Sequence, residues 1–149
     1  DVAPSRGLGD VYKRQFVCGA FTSLYSKDAV EASFAQGKIV FFAGGTGHPY
    51  FSTDTATVLR AVEIEAEAIL LAKAVDGIYD SDPKTNPNAV KYDEISIEEV
   101  VAKKLAAMDL TASIMCMEKK MPMLVFALDE KDSIINAVHG KFVGTKVTV

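Results

Sequence analysis

The chain has 149 residues, of which 49% are hydrophobic and 24% charged, and its formal net charge at pH 7 is -4. This length and apolar content suffice for one domain with a substantial buried core. The negative charge disfavours a nucleic-acid-binding surface, and the lack of any run of eighteen apolar residues disfavours a membrane span. The two cysteines, Cys18 and Cys116, lie far apart, so we interpret them as buried free thiols rather than as a disulfide or a metal site. His48 and His139 are likewise too isolated to indicate a metal centre.

The first fifteen residues differ from the rest of the chain. They contain Gly, Ser, Pro and Arg without apolar periodicity, and they lack the apolar middle region of a signal peptide. The segment 10–15, DVYKRQ, matches one reading frame of a transposase adapter used in sequencing libraries. Our hypothesis is that residues 1–15 are a non-native leader and that the native protein is read from about Phe16. The alternative is a natural disordered tail, and an intact genomic locus encoding 10–15 in frame would contradict the leader hypothesis.

The predicted elements alternate between helices and strands along the chain. In order they are a helix at 26–35 that Gly37 ends, a strand at 38–43, a helix at 54–66, a strand at 68–72 buried on both faces, a loop at 76–90, a short strand or extended segment at 92–95, a helix at 96–105, a helix that Asp109 can cap, a strand at 123–128, a helix from 132 or 133 to 138, and a strand at 146–149. Ser96 and Glu99 form a capping box for the helix that they open. This alternation predicts an α/β fold, a three-layer αβα sandwich with a mainly parallel sheet.

A glycine-rich turn follows the first predicted strand. The apolar run 39–42 leads into Gly44, Gly45, Thr46 and Gly47, and then into a hydroxyl cluster at the start of the 54–66 helix. Glycines let the backbone approach an anion closely, and the first N–H groups of a helix point at it. The residues alone leave two interpretations open, namely a phosphate site or an ordinary turn in which Thr53 or Asp54 is only an N-cap. The turn matches neither a Walker A loop nor a dinucleotide fingerprint.

A second polar loop follows the predicted strand at 68–72. Because ligands bind at the carboxyl ends of the strands in open α/β sheets, we expect the glycine turn and the 76–83 loop to lie at one edge of the sheet. Asp80 and Asp82 precede Pro83 in this loop, and ordinary turn chemistry is the simplest role for both aspartates.

Three segments of the chain resemble one family. The string GGTGHPYFSTDT at 44–55 resembles the signature of bacterial uridylate kinases, which have the amino-acid-kinase fold. VDGIYDSDP at 75–83 resembles the nucleotide loop of that family, and AMDLTA at 107–112 resembles a third family segment. The resemblance is strong from about 37 to 149 and weaker from 16 to 36, so it identifies 16–149 as the C-terminal part of an amino-acid-kinase domain.

The resemblance implies ATP-dependent phosphorylation of UMP to UDP in pyrimidine nucleotide synthesis, with Mg²⁺ accompanying ATP and no protein metal site. It assigns Lys73, Tyr79 and Asp82 to ATP, with Tyr79 packing on adenine. Asp54 is the candidate catalytic residue; its alternative role is to cap or electrostatically stabilise the helix that it begins. The residues assigned to the UMP acceptor are Thr46, Gly47, His48, Pro49, Tyr50, Phe51, Ser52 and Thr53. His48 stands where the family frequently has asparagine, and a surface loop residue is its simpler interpretation.

The resemblance also implies a cytoplasmic enzyme that forms homohexamers, with ATP and UMP as partners and neither nucleic acid nor membrane. The lysine- and glycine-containing phosphate loop that opens uridylate kinases is not visible here, so we expect this chain to be catalytically incomplete, because that lysine is expected to stabilise the migrating phosphoryl group. One alternative is a non-catalytic nucleotide-binding or regulatory module. Another is an amino-acid-kinase member that acts on a carboxylate or carbamate, against which the PYFSTD string at 49–54 argues.

Overall fold

A computed structural model describes residues 22–141 and 144–149. These residues form two compact units, one ending at Glu65 and the other beginning at Ala66. The predicted leader at 1–15 and the predicted buried thiol of Cys18 lie outside the described residues.

In its described part, the first unit contains two helices, α1 (Lys27–Ala35) and α2 (Thr53–Glu63). The Ser26 hydroxyl caps α1 by accepting the N–H of Ala29 at 3.1 Å, and the predicted helix at 26–35 is confirmed to within one residue. Gly37 follows the end of α1 with φ of +69°, a left-handed conformation that glycine adopts without strain. The inner face of α2 buries Val58 completely, with Ala61 one turn further along.

The predicted strand at 38–43 is wrong. These residues have no regular secondary structure and do not join the sheet that the described residues form. Ile39 and Phe41 are 83% and 90% exposed, and Phe42 is 42% exposed. The apolar composition predicts a strand, but a strand exists only when a neighbour completes its backbone hydrogen bonds.

The second unit contains a four-stranded mixed sheet and three helices. The elements are β1 (Ile69–Lys73), β2 (Glu94–Ser96), α3 (Ile97–Ala102), α4 (Leu110–Lys119), β3 (Met123–Ala127), α5 (Ser133–Val138) and β4 (Thr145–Thr148). The strand order is β1-β3-β4-β2, with β1–β3 and β2–β4 parallel and β3–β4 antiparallel. The predicted α/β class with a mainly parallel sheet is confirmed, since two of these three strand pairs are parallel.

Two of the sequence predictions for this unit need correction. The strand at 68–72 was expected to be buried on both faces, but in β1 Ile69 and Leu71 are buried while Leu70 is 46% exposed. Leu70 therefore follows the alternation of a strand with one buried face. The 96–105 helix is shorter than predicted, because Lys104 has φ of +52° and α3 ends at Ala102.

The helix caps that the sequence predicts in this unit are present. Ser96 accepts the N–H of Glu99 at 3.2 Å to begin α3, and Asp109 accepts the N–H of Ala112 at 2.9 Å to begin α4. Capping depends on a few adjacent residues, which explains why the sequence predicts it well.

The thiol of Cys116 is fully buried on α4, where its sulfur lies 3.7 Å from that of Met123. Burial raises the pKa of the Cys116 thiol to about 11. A thiol in this state is a packing group rather than a nucleophile, because the thiolate is the reactive form.

We therefore expect Cys116 to resist alkylation in the folded chain. In a Cys18→Ser background, where Cys116 is the remaining thiol, iodoacetamide at pH 8 should react at least about a hundredfold more slowly than in urea-unfolded protein, because the thiolate is suppressed and shielded. Mass spectrometry of timed samples measures both rates. Equal rates in folded and unfolded protein would contradict the buried position of this side chain.

Candidate functional site

The glycine turn between 44 and 52 has a strongly curved backbone. Gly44, Gly45 and Gly47 have φ values of +102°, +61° and +69°, so each occupies a region that glycine enters without strain. The hydroxyl of Thr46 accepts the backbone N–H of His48 at 3.2 Å, which closes the middle of the turn. The turn therefore combines close-approach glycines with a preformed local hydrogen bond.

The outer part of this turn is exposed. His48 and Pro49 are exposed, and Tyr50 is fully exposed although its φ is +73°. Phe51 is 54% exposed. A bulky residue with positive φ is uncommon, and such local strain concentrates at functional sites.

The turn ends at the N-terminus of α2, and Ser52 is the capping residue. Its hydroxyl accepts the N–H of Thr55 at 3.1 Å. The interpretation of Thr53 or Asp54 as the N-cap is therefore wrong, because Ser52 lies one residue earlier with the extended backbone that a cap requires. Thr53 is the first helical residue and is exposed, while Asp54 is half-buried in the first helical turn. A carboxylate at this place interacts favourably with the helix dipole.

The residues predicted to bind the acceptor UMP are thus continuous in the structure, from the turn at Thr46 to the first turn of α2. The prediction that this turn shares a sheet edge with the 76–83 loop assumed that a strand precedes the turn. The structure does not support that assumption, because the 38–43 segment is not a strand. That failure follows from the missing ladder partner described above.

The candidate ATP residues lie in the second unit, around the loop that follows β1. Lys73 is the last residue of β1 and is half-buried, and its carbonyl accepts the N–H of Leu128 at 2.7 Å. Tyr79 is half-buried, and Asp82 is exposed near the tip of the loop.

The tip of the loop is organised by its aspartates. The carboxylate of Asp82 accepts the N–H of Lys84 at 2.9 Å, and the carboxylate of Asp80 accepts the N–H of Val90 at 2.9 Å. The Val90 N–H and the Ser81 hydroxyl lower the pKa of Asp80. Both aspartates thus have the turn role that the sequence suggested as the simplest one.

Tyr79 takes part in a three-residue cluster at the base of the loop. Its hydroxyl donates to one carboxylate oxygen of Asp76 at 2.6 Å, and the other oxygen accepts from the Lys91 ammonium group at 2.9 Å. These two hydrogen bonds lower the pKa of Asp76, the Tyr79 contact being the larger cause. The same contacts raise the pKa of Tyr79 and that of Lys91.

The sequence did not single out Asp76 as a site residue, nor Lys91. Asp76 lies within the VDG segment, but Lys91 is fifteen residues away, and no local pattern indicates that the two side chains meet. Thr145 was also missed, although its buried hydroxyl accepts the N–H of Ile78 at 2.9 Å from the last strand.

The described residues contain no group of three or more His, Cys, Asp or Glu side chains that could hold a metal ion. Within 22–141 and 144–149, no helix is both long enough and apolar enough to cross a membrane.

The mixed sheet with its helices defines an α/β protein. The amino acid kinase family model matches residues 16–127, well over half of the chain. The chain therefore belongs to the amino acid kinase family.

Solved structures of the same fold support this assignment. The chain is similar to the UMP kinase of Bacillus anthracis, with 33% identity and a TM-score of 0.84 over 90% of this chain and 55% of that one. It is similar to the UMP kinase of Ureaplasma parvum, with 35% identity and a TM-score of 0.82 over 90% of this chain and 57% of that one. The uridylate kinase of Archaeoglobus fulgidus matches at 32% identity and a TM-score of 0.59 over 68% and 49%. The chain thus spans about half the length of the structures that it matches.

Proposed function

We propose that the chain carries the UMP- and ATP-binding residues of a UMP kinase. The observation that supports this most is the similarity to two UMP kinases, at 33% and 35% identity over 90% of the chain. The turn before α2 is the segment that the sequence resemblance assigned to the acceptor nucleotide. The activity belongs to the whole protein, because the chain spans 55% and 57% of those kinases.

In this proposal the turn before α2 receives the phosphate of UMP. Gly47 leaves room for the phosphate, and the exposed Thr53 hydroxyl and the first N–H groups of α2 donate to its oxygens. The exposed side chains from His48 to Phe51 contact the ribose and base. The hydroxyl of Ser52 has a different role, because it accepts the Thr55 N–H and holds the helix start in place.

On the donor side, the half-buried ring of Tyr79 packs on adenine, while Lys73 and Asp82 contact the rest of ATP. The reaction breaks the bond between the γ-phosphorus and the β–γ bridging oxygen, and a phosphate oxygen of UMP forms the new bond. The products are ADP and UDP. The protein contributes mainly alignment and charge neutralisation to such a transfer.

Mg²⁺ fits this site as a partner of ATP rather than as an ion in a protein cage. Mg²⁺ is usually held by one or two carboxylates together with substrate phosphates, so it does not need the acidic cluster that the described residues lack. When bound, it would neutralise charge on the transferred phosphoryl group. Asp54, half-buried in the first turn of α2, is the carboxylate that we assign to orienting this centre.

The acceptor assignment is tested by transfer of labelled phosphate from ATP. UMP should be the preferred acceptor over CMP, aspartate and acetylglutamate, at the weak turnover expected of a chain that spans 55% and 57% of the two UMP kinases. Equal use of a carboxylate acceptor would contradict the proposal and favour another member of the family.

The role of the turn is tested by a matched pair of glycine variants. Gly47→Ala should weaken UMP binding about tenfold, because a Cβ atom would occupy the space into which the phosphate approaches. Gly37→Ala is the control, since both glycines have φ of +69° and so carry the same conformational cost. Isothermal titration calorimetry measures both affinities. Equal affinities in the two variants would show that the turn does not hold the phosphate.

A non-catalytic nucleotide-binding module is the second candidate, favoured by the share of the UMP kinases that the chain spans. Binding of UMP and ATP by the chain without any transfer of label would support it. The kinase proposal has three further parts, namely assembly into homohexamers, a place in pyrimidine nucleotide synthesis and a cytoplasmic location. Each of them depends on the kinase activity proposed here.

A further inference from the structure

The loop from 76 to 91 is closed at its base by a short antiparallel pairing. Tyr79 and Lys91 form an isolated β-bridge, the N–H of Asp80 donates to the carbonyl of Val90 at 3.0 Å, and the N–H of Tyr92 donates to that of Ile78 at 2.9 Å. A two-stranded pairing of this length is marginally stable by itself. Side-chain contacts across it therefore decide whether the loop keeps one conformation.

The Asp76 carboxylate contacts both segments of this antiparallel pairing, because it binds Tyr79 on one and Lys91 on the other. It accepts the Tyr79 hydroxyl with one oxygen and the Lys91 ammonium group with the other, at 2.6 and 2.9 Å. The side chains of Lys91 and Asp76 are 33% and 37% exposed, so water screens this ion pair only in part. Hydrogen bonds to a charged carboxylate are shorter and stronger than neutral ones. Because both oxygens are used, the carboxylate restrains the ring of Tyr79 as well as the returning strand.

This arrangement also limits what Tyr79 can offer a ligand. Its hydroxyl is engaged with Asp76, whereas its ring remains half-exposed. A ring held by its hydroxyl presents a fixed aromatic face, which suits stacking on a nucleotide base.

We propose that Asp76 is a positioning residue for ATP, which holds the Tyr79 ring and the base of the 76–91 loop in the arrangement that receives adenine. This inference rests on the proposed assignment of Tyr79 to ATP, and it adds two residues, Asp76 and Lys91, that do not themselves touch the nucleotide. Preorganisation of this kind raises affinity because the ordering cost is met before binding.

The first test compares Asp76→Asn with Asp93→Asn, the same chemical change at an exposed residue just beyond the loop. In Asp76→Asn, amide exchange at Asp80 and Tyr92 should rise about tenfold and the Kd for ATP should rise about tenfold, as expected when a charged hydrogen bond is lost. UMP affinity should not change, because neither Asp76 nor its partners Tyr79 and Lys91 are among the residues assigned to UMP. Asp93→Asn should leave all three quantities unchanged.

A spectroscopic readout separates positioning from a general structural role. Asp76 raises the pKa of the Tyr79 phenol, so the absorbance titration of this tyrosine, identified as the transition lost in Tyr79→Phe, should move to lower pH in Asp76→Asn. An unchanged titration together with unchanged loop exchange would overturn the inference.

The second test removes the two hydrogen-bond partners of Asp76 separately, and it applies even if Asp76→Asn fails to fold. Lys91→Gln and Tyr79→Phe should each increase loop exchange and weaken ATP binding, and their effects should not add, because both act through one carboxylate. Additive effects, or an ATP affinity equal to that of the unchanged chain, would overturn the proposed role of Asp76 but not the proposed function. Failure of the unchanged chain to bind ATP would instead overturn the proposed function and with it this role of Asp76.

Discussion

Replacing Gly144 with alanine is expected to destabilise the folded chain by about 3 kcal/mol or more, because it adds a steric clash to an unfavourable backbone conformation. Gly144 precedes β4 with φ of +84°, and a Cβ atom there would overlap the carbonyl oxygen of Val125. It would also lie 2.8 Å from the Cα atom of Phe126. These are backbone atoms of the neighbouring strand β3, so the clash cannot be relieved by turning a side chain.

Gly140→Ala separates the two causes. Gly140 has φ of +70°, but a Cβ atom there would meet no atom within 4 Å. This control should therefore lose only about 1 kcal/mol, the cost of a left-handed non-glycine residue. Urea denaturation followed by circular dichroism measures both free energies of unfolding. A loss for Gly144→Ala no greater than that for Gly140→Ala would show that β3 and β4 do not approach so closely.

Replacing Thr145 with valine is expected to cost about 2 to 4 kcal/mol, because it removes the hydroxyl that accepts a buried N–H and donates to a partly buried carbonyl. Thr145 is completely buried, and its hydroxyl accepts the N–H of Ile78 at 2.9 Å while donating to the carbonyl of Tyr92. Valine has nearly the same shape but can make neither hydrogen bond. Since Ile78 and Tyr92 lie at the two ends of the 76–91 loop, amide exchange of Ile78 should rise as well.

Thr148→Val is the matched control on the same strand. Its hydroxyl is half-buried and reaches the carbonyl of Ile95 at 3.5 Å, the outer limit of a hydrogen bond, so the expected loss is below about 1 kcal/mol. Urea unfolding gives both values, and Thr145→Ser should recover much of the loss because it restores the hydroxyl. If valine were tolerated equally well at both positions, Thr145 would not be the link that holds the loop.

Local chemistry explains the successes of sequence analysis on this chain. Ser96 and Asp109 were recognised as helix caps because a cap involves a side chain and a backbone N–H three residues later. The strands at 69–73 and 123–127 were placed to within one residue because continuous apolar runs bounded by turn residues are distinctive.

The segment at 38–43 shows where such reasoning fails. Its apolar residues, with Phe41 90% exposed, read as a buried strand, yet burial and pairing depend on neighbours that composition does not reveal. In the candidate site, too, local sequence indicated some residues and missed others. The turn and loop residues were named from their patterns, whereas the Asp76–Lys91 ion pair joins residues fifteen positions apart and no pattern links them.

The sequence by itself determined the α/β class, the caps at Ser96 and Asp109 and the family, because these depend on residues adjacent along the chain. Only the tertiary structure decided that β4 runs antiparallel to β3, that 38–43 stays outside the sheet, and that Asp76 ties Tyr79 to Lys91. The physical reason is the same in each case: strand pairing and side-chain ion pairs depend on distances in space between segments that are far apart in the chain.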